Sequence, residues 1–152
     1  VKTLGRPGAK DEIVRRLRAL RPDSRRRWGR MNPHQAVCHL SDSFLAVLGR
    51  KPVSHAASVF RRTVMKWLAL YVPLPWPPGI STRPELDQQA GGTAPAEFAA
   101  DVAQLEALLE LVTGPAGTFT WGTHPTLGPM SEWAWLRWGY LHCDHHLRQF
   151  GA

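Results

Sequence analysis

With 152 residues, 43% of them hydrophobic and seven of them tryptophan, the chain has the size of a single domain with a buried core, which excludes a disordered tail. Two cysteines, Cys38 and Cys143, are too few for a disulfide scaffold, no apolar run reaches the ~18 residues that span a bilayer, and Val1 to Lys10 lacks a signal-peptide core, so a cytoplasmic protein without a membrane partner is expected. The net charge of +7 is concentrated in Arg15, Arg16, Arg18, Arg21 and Arg25 to Arg27; because arginine outnumbers lysine along the whole chain, this run reads as a solvated surface ahead of a nucleic-acid or other polyanion site.

Helical periodicity recurs in five segments and nothing alternates like a strand, which predicts an all-α domain over residues 1–152. Ile13, Leu17 and Leu20 mark a first helix over about residues 8–20, stopped before Pro22. The second opens on Asn32 as N-cap, with Pro33 at its first position and Gln35 placed to close a capping box, and runs to about Gly49. Ser54 is expected to cap a third helix whose stripe of Ala57, Phe60, Val64, Trp67 and Tyr71 needs a covering partner. From Val72 to Thr93 the prolines at 73, 75, 77, 78 and 84 impose an irregular connection, whose Trp76 could fold over a cavity mouth. Phe98, Val102, Leu105, Leu109 and Val112 form the fourth helix, closed by Gly114 and Pro115. The last, from near Ser131 to near Gly151, carries Trp135, Gly139, His142, His146 and Gln149 on one face.

His142 and His146 stand one turn apart, so both imidazoles can reach one ion, and their face points into the bundle. Spacing alone leaves a hydrogen-bonded core pair equally open. His39, mid-helix among Ala36, Leu40 and Val47, is the natural third ligand. Asp42 is a candidate to accept a hydrogen bond from one of these rings and orient it, against the plainer reading of an exposed helix acid. His145, about 60° from His142, lines the same cavity and is a candidate for proton transfer. Cys38 pairs with His34 at i, i+4 and Cys143 adjoins His142, so a mixed thiolate site has to be weighed. Each cysteine points about 100° from the neighbouring histidine, and both read as small buried packing residues.

The strings Trp28-Gly-Arg-Met-Asn-Pro-His-Gln-Ala-Val-Cys-His39-Leu and His142-Cys-Asp-His-His-Leu-Arg-Gln149 resemble the DinB/YfiT-like superfamily of metalloproteins. Trp67 to Glu85 with its LPWPPGI segment, the His124-Pro-Thr-Leu-Gly loop and the DHHLRQFG ending resemble, more narrowly, a bacterial DinB-like family of unknown function. The resemblance implies a four-helix bundle, with the third helix and the proline-rich segment inserted between the second and third bundle helices. It also implies a metal on His39, His142 and His146, and it attaches His39 to the pair more firmly than spacing does. Zinc is the first choice and nickel the second.

Three protein ligands leave a fourth position open, as in catalytic zinc sites. The expected activity is that of a metal-dependent transferase using a low-molecular-weight thiol, or of a hydrolase, on a small-molecule substrate. The alternatives are a non-catalytic metal-stabilised bundle and a basic polyanion-binding module. Bundles of this type often pair, which leaves a homodimer open.

Overall fold

The computed structural model describes residues 1–55, 58–115 and 118–152. Among these residues the structure is helical and holds no strand. Its elements are α1 (Ala9–Ala19), α2 (Pro33–Val47), α3 (Lys66–Tyr71), α4 (Phe98–Val112) and α5 (Glu132–Gln149). Among the described residues no helix is long and apolar enough to cross a membrane.

The ends of these helices follow local chemistry. The Asn32 side chain accepts from the Gln35 N–H at 2.8 Å while Gln35 Oε1 accepts from the Asn32 N–H at 2.9 Å, so the predicted capping box forms and fixes the phase of α2. Glu97 accepts from the N–H groups of Ala99 and Ala100 at the start of α4, and Ser131 from that of Ala134 at the start of α5. Leu20 is extended and ends α1 two residues before Pro22.

Helix α1 packs on α4 and α5, and α2 packs on the same two. Ile13, Leu17, Val37, Phe44, Leu105, Leu109, Trp135 and Leu147 are all 1–2% exposed or less and form the centre of one core. Gly139 lets this core close. A Cβ there would lie 2.7 Å from Leu4 Cδ1 and 3.3 Å from the Phe44 ring. Part of the arginine run is spent within the chain: Arg16 meets Asp144 at 2.8 Å and Arg18 meets Glu106 at 2.7 Å, tying α1 to α5 and α4.

The third predicted helix is corrected. Ser54 caps no helix among the described residues; its N–H donates to Glu85 Oε1 and its hydroxyl accepts from Arg83. Ala57 lies outside the described residues. Helix begins at Val59, passes through a π turn over Arg61–Met65 and continues as α3. A π turn takes up an extra residue, which rotates everything after it by about 100° relative to a continuous α-helix. Leu70 becomes the buried residue, while Phe60, Val64, Trp67 and Tyr71 remain 45–58% exposed, Tyr71 stacking on Trp133 with ring centroids 5.2 Å apart. The connection that follows is irregular, as its prolines require, apart from a single 3-10 turn at Pro84–Leu86.

Candidate metal centre

Helix α5 presents His142 and His146 one turn apart, and α2, phased by its capping box, directs His39 between them. The ring centroids stand 5.0 Å (His39–His142), 4.7 Å (His39–His146) and 5.1 Å (His142–His146) apart. One ligand atom from each ring can be chosen so that all three lie within 4.8 Å of one another, and no fourth His, Cys, Asp or Glu among the described residues joins them.

Outer partners set the tautomers. His39 Nδ1–H donates to the Leu86 carbonyl at 2.7 Å, and His146 Nδ1–H donates to Gln149 Oε1 at 3.1 Å. Both rings then hold a free lone pair on Nε2, the arrangement outer hydrogen bonds impose on ligating histidines. His39 Nε2 lies 3.0 Å from His142 Nε2, and His142 Nδ1 is shut off from solvent with no partner.

Two bare lone pairs at that distance repel, so either a proton or a cation must lie between them. The donor set fits a cation. Two imidazoles on a tetrahedral zinc, at about 2.0–2.1 Å each, would have their nitrogens about 3.3 Å apart, within a few tenths of an ångström of what is found. Burial holds His39 below the usual imidazole range, and His142 and His146 well below it, with repulsion from neighbouring rings adding to the effect. All three are thereby kept in the neutral form that ligates metals.

Aromatic side chains enclose the group. Trp138 stands 5.0 Å and Trp76 5.8 Å from His142, measured between ring centroids. Trp76 thus comes from the proline-rich connection to sit against the site, held by its Nε1–H donating to the Ala69 carbonyl at 2.8 Å. His39 and His146 are buried, whereas His142 is half-buried.

Not every candidate meets the metal group. Asp42 is 1% exposed, so it is no surface acid; nor does it orient an imidazole. Its oxygens accept from the Thr93 N–H and hydroxyl, both at 2.7 Å, and from Gln88 Nε2 at 2.9 Å, with the Lys51 ammonium 3.3 Å away. Asp42 fastens the end of the irregular connection. His145 is buried beside His146, outside the three-ligand group, with its Nδ1–H donating to the Trp76 carbonyl at 3.3 Å. Burial pushes the Cys38 and Cys143 thiols up to about 12. Cys143 packs in the core as expected, whereas Cys38 faces His34 and Asp101.

Sequence reasoning missed two groups. Gln149 bridges the centre to the chain before α2, because its Nε2 donates to the Trp28 carbonyl at 2.7 Å while Oε1 holds His146. Gly29 makes room for it with φ +78°; a Cβ there would lie 2.3 Å from Gln149 Nε2. The i, i+3 spacing of His146 and Gln149 on one helix was the available signal. The Leu86 carbonyl carries no side-chain signal at all.

Residues 7–152 match a family described as "Protein of unknown function (DUF1569)". No curated protein and no solved structure matches the chain.

Proposed function

We propose that this chain, which belongs to the DUF1569 family of unknown function, binds a divalent metal ion on His39, His142 and His146 and uses it as a metal-dependent transferase or hydrolase. The observation that carries the reading is the convergence of three neutral imidazoles, two buried and one half-buried, with no fourth protein ligand among the described residues. When bound, the ion would supply Lewis acidity and a free coordination position for a small thiol or for water. Zinc suits the all-imidazole set best, and nickel is the second choice.

The chain's own residues have separate tasks. Leu86 and Gln149 hold two ligand rings in the ligating tautomer. Trp76 and Trp138 exclude water from the flanks of His142. His145, beside His146, is the candidate to carry a proton for a bound substrate. The histidine placement, one on α2 and two on α5, together with the packing of α1, α2, α4 and α5, supports the DinB/YfiT-like reading: a four-helix bundle into which α3 and the proline-rich segment are inserted. Low-molecular-weight thiols are the co-substrate class this reading favours.

Elemental analysis tests the centre. Protein purified without added metal should carry one divalent ion more per chain than the His39→Ala variant purified alongside it; equal contents in the two would overturn the proposal. Gln149→Ala, which frees the His146 ring, is expected to weaken metal affinity by about 10–100-fold in a chelator competition. Unchanged affinity would remove Gln149 from the site.

A further inference from the structure

Helix α2 bears a second set of metal-type donors on another face. His34 and Cys38 stand one turn apart, about 40° from each other around the helix and turned away from His39. They face Asp101 in the first turn of α4. His34 Nε2 lies 2.6 Å from Asp101 Oδ2, and Cys38 Sγ lies 3.6 Å from the same oxygen. The three ligand atoms fall within 4.8 Å of one another. Cys38 is buried, at 4% exposure, and the other two are half-buried, with the Phe98 ring edge-on to His34 at 5.2 Å.

A separate observation concerns the space beside this trio. A cavity of about 20 Å³, room for one water-sized ligand, is lined by Cys38, Ser41, Asp42, Thr93, Asp101 and Gln104. Ser41, a lining residue, is 5% exposed, and its hydroxyl has no hydrogen-bond partner among the described residues. A buried hydroxyl left unpaired costs free energy unless something occupies the space it faces. Asp42 is not that partner, since Thr93, Gln88 and Lys51 already engage it.

We infer that His34, Cys38 and Asp101 form a second divalent-metal site, independent of the three-histidine centre, selective for a thiolate-accepting ion such as zinc, cobalt or cadmium. One nitrogen, one sulfur and one oxygen make a mixed set of borderline softness that magnesium and calcium, which want oxygen alone, would refuse. Binding balances simply. The Cys38 thiol gives its proton to solvent as the sulfur–metal bond forms, and the His34 proton moves from Nε2 to Nδ1 so that Nε2 can ligate. Asp101 exchanges its hydrogen bonds from His34 and Cys38 for the ion, while the Ala96 N–H, 3.1 Å from Oδ2, keeps the carboxylate aimed. The Ser41 hydroxyl is left to meet a water or small ligand at the remaining position.

Sulfur separates this site from the all-nitrogen centre. Cobalt(II) titrated into chelator-treated protein should produce a near-ultraviolet thiolate-to-cobalt charge-transfer band. The band should persist in His142→Ala and in Cys143→Ser, and be lost in Cys38→Ser and in His34→Ala. Because His34 lies on the half-buried rim, its variant tests the site even if Cys38→Ser does not fold. A saturated wild-type protein without the band would overturn the inference, as would a band that survives His34→Ala or disappears in Cys143→Ser. Loss of bound metal from the three-histidine centre alone would leave the band in place, so the two sites fail separately.

Discussion

Alanine at Trp135 is expected to cost about 3–5 kcal/mol of folding stability, a large share of the roughly 5–15 kcal/mol that holds a domain folded. The indole is 1% exposed and stacks on Trp121 with centroids 5.1 Å apart and planes 7° apart. It also meets Trp138 edge-on at 5.7 Å, and Trp138 meets His142. Truncation would leave a cavity between α5 and the loop carrying Trp121 and His124, one ring removed from His142. Urea denaturation with the wild type and Trp135→Phe alongside measures the effect, and phenylalanine should restore much of it. A loss below about 1 kcal/mol would show that this aromatic stack is not part of the stabilising core.

The metal-free protein should also unfold in mild acid. Burial holds His39, His142 and His146 below the usual imidazole range and pushes His124 down to about 3, where its Nδ1 also accepts from the Thr126 and Leu127 N–H groups. Above the unfolded pKa of about 6.5 these rings are neutral in both states and contribute no pH dependence. Below it the unfolded chain gains protons that the folded chain refuses, so each ring removes up to about 1.4 kcal/mol per pH unit until its own folded pKa is reached. The three rings held furthest down, His124, His142 and His146, can together remove about 6 kcal/mol by about pH 5, enough to unfold a domain of marginal stability. Circular dichroism between pH 7.5 and 4 in the presence of a chelator would follow this, and excess zinc should move the midpoint to lower pH. A fold unchanged down to about pH 4 would contradict the neutral state assigned to the buried rings.

What could be read from the sequence was what local rules govern. The capping box at Asn32 and Gln35 lies within four residues and formed as written, and the phases of His39, His142 and His146 follow from the helices that carry them. The π turn at Arg61–Met65 defeated the same reasoning, because an apolar pattern counted at 3.6 residues per turn cannot register an inserted residue. Asp42 was misplaced for a different reason. Its partners, Gln88 and Thr93, come from a stretch with no period, where spacing carries no information about position. Cys38 was separated correctly from His39 by helix phase, yet its company with Asp101 depends on how α4 docks on α2, a tertiary fact.

The connection between α3 and α4 has almost no regular structure of its own, yet it is moored at three points beside the histidines. His145 and Arg148 hold the Trp76 carbonyl, His39 holds that of Leu86, and Asp42 holds Gln88 and Thr93. Its transient opening and the loosening of the His39 ring are therefore one event. Amide hydrogen exchange along residues 84–93 becomes a clock for the centre, running slower whenever His39 is pinned.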